Sequence, residues 1–290
     1  MDLQQLRYVV AVAELGNFTR AAERCFVVQS ALSHQVGRLE HELGARLFHR
    51  TSRQVRLTQA GEAFLPAARQ CLDAADRARA EVAAATGEVR GRLSVGVIPT
   101  VAAVDVPAVL HTFHERHPQV RVGLVMGASD ELVSQVAEGV LDVAFLGLPA
   151  DAAVTGVVDH VLARDRLVAV VAPDHRLAGA KRVRLQRLAE EVFVDFPAGT
   201  PGRAQSDQAF AAAGLRRDVA FEVTDAHLMA RLIREGLGVG MLASTFVPQL
   251  PELVTIPVVG APTRIEHLVW SRLGPSPAAS AFLTQLDVLG

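Results

Sequence analysis

The 290-residue chain has 50% hydrophobic residues and a net charge of −2, which is typical of a globular protein with two or three domains. No apolar run reaches the roughly 18 residues of a membrane span, and the N-terminal residues lack signal-peptide features, so we expect a cytoplasmic protein without a membrane partner. The charge is uneven, because residues 1 to 58 contain eight arginines and five acidic residues, a net charge of +3 that is compatible with a nucleic-acid partner.

Three short helices are predicted within the first fifty residues. The first is indicated by a helical repeat of apolar positions at Leu3, Leu6, Val10 and Ala13. Asn17 and Thr19 offer N-cap oxygens for a second helix that ends near Arg24. The third is predicted from Gln29 to Leu43. Two strands around a polar turn at residues 51 to 53 should follow, with apolar anchors at Leu47, Phe48, Val55 and Leu57. This order is that of a winged helix-turn-helix.

The predicted third helix has two contrasting faces. A stripe expected to face the core consists of Leu32, Val36, Leu39 and Leu43. The opposite face is polar, partly basic and without a carboxylate, and it consists of Ser30, His34, Gly37, Arg38 and His41. Glu40 and Glu42 are expected to point to the flanks.

From Thr58, a good N-cap, to about Glu88 the sequence predicts one long alanine-rich helix. Its apolar positions repeat every seven residues, at Phe64, Ala68, Cys71, Ala75, Ala78, Val82 and Ala85. A helix of roughly 45 Å needs a partner along such a seam, so we expect dimerisation through it. Pro66 predicts a local bend.

Beyond Gly91 strands alternate with helices, which suggests a parallel α/β sheet. Buried strands are predicted at residues 92–98, 120–126, 141–147, 166–173, 191–196, 219–223, 238–242 and 267–270. Helices are predicted at residues 101–116, 130–138, 203–213, 226–235 and 278–289. Two similar lobes, with chain crossings near residues 160–165 and 260–268, would leave a cleft between them.

The segment from Phe18 to Arg69 resembles the signature of LysR-type transcriptional regulators. It contains Q-S-A-L-S at residues 29–33, L-G at 43–44, L-F-x-R at 47–50 and L-T-x-A-G at 57–61. The rest of the chain is similar too, through residues 96–100, 138–142 and 235–242. The resemblance implies an α/β protein with a winged helix-turn-helix domain (1–58), a linker helix (59–89) and a two-lobed effector domain like that of periplasmic binding proteins (90–290). Lobe I would span about 90–161 and 267–290, and lobe II about 162–266.

The carboxylate-free helix face is what a recognition helix presents to the major groove, where acidic groups would meet phosphates. The family points to the start of this helix for base contacts, hence Gln29, Ser30, Ser33 and His34, with Arg38 beside them. His34 stands where arginine is common, and Gly37 is a second departure. In the wing, Arg50, Thr51 and Arg53 are predicted to reach phosphates or the minor groove. Arg46 and Arg56 are equally compatible with solvated strand charges.

The effector site is predicted where strands run into helix N-termini, which attract anions. The candidate residues at these positions are Pro99, Thr100, Ser129, Gly199, Thr200, Arg203 and Thr224. The alternative is that the four hydroxyl side chains only cap their helices. Arg203 is the expected charge partner of an anionic ligand, with a surface salt bridge as its alternative role.

Other patterns in the sequence give weaker evidence for a functional site. His111, His114 and His117 are spaced so that neighbours could share a metal, but no further ligand completes the shell. The glycine-rich run at residues 236–241 lies between a helix and a strand, the reverse of a phosphate loop. We therefore predict no metal site, no cofactor and no catalytic residue. Cys71 fits a small apolar residue of the seam better than a redox switch, because buried thiols usually have a raised pKa.

Two classes of function remain. The first is a DNA-binding transcriptional regulator controlled by a small, anionic effector bound between the lobes. The second is a ligand-binding or enzymatic α/β protein whose N-terminal segment serves only for dimerisation. The helix face and wing arginines favour the first. Its expected partners are an inverted repeat in double-stranded promoter DNA, the effector, and further copies of the chain in a dimer or tetramer, with RNA polymerase left open.

Overall fold

The computed structural model describes residues 1–50, 55–85, 88–250 and 252–289, except for the side chains of Arg50 and Ala84. The chain forms two units. The N-terminal unit comprises Met1–Glu88 with Glu138–Val140, and the C-terminal unit comprises Val89–Ala137 with Leu141–Gly290.

The N-terminal unit has the predicted order of a winged helix-turn-helix followed by a long helix. Its elements are α1 (Leu3–Leu15), α2 (Phe18–Arg24), α3 (Gln29–Leu43), β1 (Phe48–Arg50), β2 (Val55–Leu57) and α4 (Gln59–Ala85). The Asn17 side chain begins α2 by accepting the Arg20 N–H at 3.0 Å. The Thr58 hydroxyl caps α4 by accepting the Gly61 N–H at 3.0 Å. The caps predicted at Asn17 and Thr58 are confirmed, whereas Thr19, the other candidate for α2, lies inside that helix.

The core of the N-terminal unit lies between the first three helices and β1. From α3 it receives Leu32, Val36 and Leu39, as predicted. Leu43 was expected there too, but it is 40% exposed because α3 ends beside it at Gly44. The stripe predicted for α1 is also only partly correct. Leu6 is buried, whereas Leu3 is exposed and burial centres on Tyr8, Val9 and Val12, because α1 contacts α2, α3 and α4.

The C-terminal unit contains the remaining strands and helices. The first part consists of β3 (Gly91–Val97), α5 (Val106–Arg116), β4 (Val120–Met126), α6 (Ser129–Ala137), β5 (Val143–Pro149) and β6 (Val157–Val171). The second consists of β7 (Val183–Arg184), α7 (Leu185–Leu188), β8 (Val192–Asp195), α8 (Pro201–Ala212), β9 (Asp218–Glu222), α9 (Ala226–Arg234), β10 (Gly240–Ala243), a 3-10 turn (Val247–Gln249) and β11 (Val254–Val259). The chain returns through β12 (Thr263–Ser271) and α10 (Pro277–Gln285).

Among the described residues of this unit, three clusters of buried apolar side chains form the cores, two in lobe I and one in lobe II. In lobe I the rings of Phe113 and Phe145 pack edge to face on Phe282 of α10, at centroid distances of 5.5 and 6.5 Å. In lobe II Phe193 and Phe210 pack in the same way at 5.6 Å. The final helix therefore returns to the first lobe.

Strands β6 and β12 connect the lobes. β6 pairs antiparallel with β12 in its first part and with β10 and β11 in its second, so one 15-residue strand serves both lobes. The predicted parallel pairing holds for β3 with β4 and β5, and for β8 with β9. It does not hold around β6. This strand passes directly from one lobe to the other, and its partners β10, β11 and β12 run in the opposite direction, so the pairing there is antiparallel.

Several predicted elements need correction. The helix expected from Val101 begins at Val106, where the Asp105 carboxylate accepts the Ala108 N–H at 3.1 Å. β4 was expected to be buried, but it forms the edge of the sheet and leaves Leu124, Val125 and Met126 exposed. The first half of β6 and the strands β7 and β11 were not predicted.

Candidate functional site: the recognition helix and the cavity between the lobes

The polar face of α3 lies on the surface. Gln29, Ser30, His34 and Arg38 are exposed, whereas Ser33 is half-buried. A Cβ added at Gly37 would meet nothing within 4 Å, so this stretch of the helix surface is open. The face therefore has the accessibility that contact with a duplex requires.

The two carboxylates near this face are engaged elsewhere. Glu40 accepts the backbone N–H groups of Leu47 and Phe48 at 2.9 and 3.2 Å, which ties α3 to the start of the wing. Glu42 pairs with the N-terminal ammonium of Met1 at 2.7 Å. Both negative charges are thus turned away from the exposed polar face, as predicted.

The wing strands pair antiparallel, with Phe48 opposite Leu57 and Arg50 opposite Val55. Phe48 anchors them by packing edge to face on Phe18 of α2 at 5.8 Å. The predicted wing contacts Thr51 and Arg53 lie outside the described residues, as does the side chain of Arg50.

A cavity of about 520 Å³ lies between the lobes of the C-terminal unit. Five of the predicted effector residues line it, namely Pro99, Thr100, Ser129, Thr200 and Thr224. The other two, Gly199 and Arg203, are not among its described lining residues. The walls are largely apolar and include Ile98, Met126, Leu167, Phe196, Met241 and Leu242.

The hydroxyl residues do not all act as the N-caps that were predicted. Thr200 does cap α8, since its oxygen accepts the Arg203 N–H at 3.4 Å. Thr100 lies ahead of α5, and Asp225 rather than Thr224 caps α9. Ser129 is the first residue of α6, and its hydroxyl exchanges hydrogen bonds with the backbone of Gly147 at 3.1 and 3.2 Å.

Arg203 was expected to be either the charge partner of an anion or a member of a salt bridge, and in the structure it forms ion pairs. Its guanidinium pairs with Asp207 and Glu222, both at 3.1 Å, and donates to the Phe196 carbonyl at 3.0 Å. Burial alone would lower the pKa of Arg203, but these hydrogen bonds and ion pairs raise it above its ordinary value. The side chain therefore stabilises lobe II internally.

The cavity has a different arginine, which the sequence reasoning missed. Arg264 of β12 is 3% exposed, and its Nη2 donates to the Thr100 carbonyl at 3.1 Å. Its Nη1 lies 3.4 Å from Oε1 of Glu266, whose Oε2 accepts the N–H groups of Ala102 and Ala103 at 3.1 and 3.0 Å. Burial lowers the pKa of Arg264, and Glu266 opposes that effect. The signal available in the sequence was a pair of opposite charges, Arg264 and Glu266, at alternate positions of the strand.

Gln205 also went unrecognised. Its amide Nε2 on α8 of lobe II donates to the Gly147 carbonyl on β5 of lobe I at 3.3 Å. Its Oε1 is buried without a hydrogen-bond partner among the described residues. Because this side chain lines the cavity and joins the lobes, a molecule that bonds to Oε1 would act on the lobe contact.

Family models match nearly the whole chain. The model described as bacterial regulatory helix-turn-helix protein, lysR family, matches residues 3–62, and the LysR substrate binding domain matches residues 86–289. The chain belongs to the LysR family. It is a DNA-binding transcriptional regulator with a substrate-binding domain, and not an enzyme.

Individual relatives of this LysR-type regulator support the same family assignment. It is 34% identical over 277 residues to the HTH-type transcriptional regulator ShiR of Corynebacterium glutamicum (strain R), covering 94% of this chain and 93% of the relative. A crystal structure of full-length CbnR complexed with target DNA superposes with a TM-score of 0.70 at 28% identity, covering 99% of each chain. A full-length OxyR variant from Pseudomonas aeruginosa superposes with a TM-score of 0.75 at 25% identity, covering 98% of this chain and 95% of that one.

The two cysteines of the regulator lie in the N-terminal unit. Cys25 is half-buried, and burial raises the pKa of its thiol above the ordinary value. Cys71 is exposed on α4, within the predicted seam. Within the described residues no helix is long and apolar enough to cross a membrane.

Proposed function

We propose that this regulator binds an inverted repeat in promoter DNA, with α3 in the major groove and the wing on the adjacent backbone. The observation that carries the proposal is the exposed face of α3, which offers amide, hydroxyl, imidazole and guanidinium groups while Glu40 and Glu42 are bonded elsewhere. Such groups bond base edges and phosphates, and nearby carboxylates would repel the duplex.

Alanine variants should separate base reading from phosphate binding. Gln29→Ala and Ser33→Ala are expected to lose about 1 to 3 kcal/mol at the preferred site and almost nothing on random DNA. Arg50→Ala and Arg53→Ala should weaken binding to every sequence and flatten the salt dependence by about one unit each. Fluorescence anisotropy on the upstream region of the regulator's own gene, over a salt series, measures both effects.

Base reading by α3 is refuted if Gln29→Ala and Ser33→Ala weaken specific and random DNA equally. His34→Ala decides whether the imidazole belongs with the base-reading residues or with the arginines. Melting temperatures of the variants provide the control for folding.

We also propose that the regulator is a dimer or tetramer joined through α4. From Cys71 onward the seven-residue repeat leaves Cys71 and Ala78 exposed and Val82 70% exposed along one side of the helix, whereas its first positions, Phe64 and Ala68, pack within the N-terminal unit. The far side carries the ion pair of Asp73 with Arg77, at 2.7 Å. An exposed apolar seam opposite a charged face is typical of a helix that pairs with another.

Replacing Ala75 and Ala78 together by glutamate should split the oligomer, because four like charges would meet in a narrow seam. Multi-angle light scattering measures the mass directly. Gln70→Glu with Ala80→Glu adds the same charge on the other side of α4 and should leave the mass unchanged. A monomeric wild type would contradict this proposal.

For the effector we propose a small molecule with an apolar body and a carboxylate, bound between the lobes. Apolar walls suit the body, while the Thr100 hydroxyl, the Arg264 guanidinium and the Thr200 end of α8 suit the carboxylate. Two acidic residues at the cavity are already bonded within their own helices: Asp225 to the Leu228 N–H at 2.6 Å, and Glu131 to the Gln135 amide at 3.1 Å.

A panel of small carboxylates and their amides tests this site by thermal shift. A carboxylate at one hundred times its Kd should add about 2.7 kcal/mol of stability, and its amide should add much less. Thr100→Val should reduce the shift, whereas Thr255→Val, on an exposed strand position, should not. If both variants respond like wild type, the carboxylate does not bind at Thr100.

A further inference from the structure

Phe26 ends α2 in a backbone conformation that favours glycine. Its φ is 57°, its N–H donates to the Glu23 carbonyl at 3.1 Å, and the next N–H, of Val27, donates to the Ala22 carbonyl at 3.0 Å. This pair of hydrogen bonds is the Schellman motif, in which glycine or asparagine usually takes the left-handed position. A bulky side chain there is strained.

The Phe26 ring does not offset that strain by packing. It is 95% exposed. The other non-glycine residues with φ in the left-handed region, among those described, are the polar Glu252 and Asp287. Folding of the turn therefore gives no reason for an aromatic side chain at this position, and strain kept without a packing gain points to an external contact.

Phe26 lies close in sequence to the residues proposed to contact bases. Two residues further on, Val28 is 68% exposed and precedes α3 without capping it through a side chain. Gln29 and Ser30, the proposed base-contacting residues, follow directly. Phe26 and Val28 thus place two exposed apolar side chains directly before the proposed base-contacting residues. The apolar group that a base presents in the major groove is the thymine methyl.

We propose that Phe26 contacts a thymine methyl group at the edge of the recognition site. This inference rests on the proposed insertion of α3 into the major groove. The contact removes the ring and the methyl group from water, so it adds affinity for sites with thymine at that position. In an inverted repeat the same contact occurs twice.

Phe26→Asn tests the contact, because asparagine suits the left-handed backbone. The full-length variant is titrated with the upstream DNA fragment made either with thymine or, by amplification with dUTP, with uracil, which lacks the methyl. On thymine DNA we expect about tenfold weaker binding than wild type. On uracil DNA the two proteins should bind equally, and the melting temperature should not fall. Phe26→Gly should behave like Phe26→Asn.

Equal binding of wild type and Phe26→Asn to thymine DNA would overturn the proposal, as would an equal loss on both DNAs. Leu273→Asn is the matched control, because it removes an exposed apolar side chain from the C-terminal unit. Failure of the proposed function is a separate result, since wild type would then not bind the fragment specifically.

Discussion

Replacing Arg264 by methionine is expected to lower the free energy of unfolding of the C-terminal unit by about 3 to 5 kcal/mol. Arg264 and Glu266 form a buried ion pair, with Nη1 and Oε1 3.4 Å apart. Methionine fills much of the arginine volume but leaves the Glu266 carboxylate buried without its counter-charge. Trp270, the single tryptophan of the chain, lies in the same strand, so its fluorescence during urea unfolding reports on this unit.

A double variant identifies the cause of that loss. Arg264→Met with Glu266→Gln keeps a side chain that can accept the Ala102 and Ala103 N–H groups, but removes the negative charge. It should regain part of the stability, and together with the single Glu266→Gln variant it completes a double-mutant cycle that measures the coupling of the two charges. A single Arg264→Met variant as stable as wild type would show that Glu266 does not need the arginine.

Gly61→Ala is expected to destabilise the N-terminal unit by about 3 kcal/mol through overpacking. An added Cβ would lie 2.1 Å from the Leu47 carbonyl oxygen and 2.9 Å from Cδ2 of Leu57. The carbonyl cannot move away freely, because it accepts the Thr58 N–H at 2.9 Å. The wing should shift, and DNA binding should weaken with it. Helical circular dichroism during heating measures the loss, while Trp270 fluorescence should keep its transition.

Gly37→Ala is the matched control for that prediction. It is the same chemical change within a helix of the same unit, but the added Cβ would meet nothing within 4 Å. Alanine is favoured over glycine in a helix by about 1 kcal/mol, so this variant should be as stable as wild type or more so. A Gly61→Ala protein that melts like Gly37→Ala would contradict the overpacking.

The helices of the N-terminal unit were predictable from the sequence because their signals are local. Asn17 and Thr58 begin α2 and α4 through hydrogen bonds to residues three positions ahead. The apolar repeat of α3 identified its buried face for the same reason, since it acts within one or two turns. The repeat could not reveal that the last turn is uncovered, so Leu43 was placed in the core.

The strands of the C-terminal unit were less predictable. A run of apolar residues shows that a strand is buried, but not which strand lies beside it. β6 was recognised only in its second half, because its first half carries exposed polar residues and depends on pairing with β12, about one hundred residues later.

The sequence by itself determined the family, the α/β character with a winged helix-turn-helix, and the limits of the first three helices. Only the tertiary structure decided which charged groups reach the cavity. Arg203 opens a helix beside the cleft, yet Asp207 and Glu222 take its guanidinium. Arg264 lines the cavity, and its guanidinium donates a hydrogen bond to the carbonyl of Thr100, which lies 164 positions earlier in the sequence. Ion pairs and burial depend on distance in space, which a local pattern of residues does not contain.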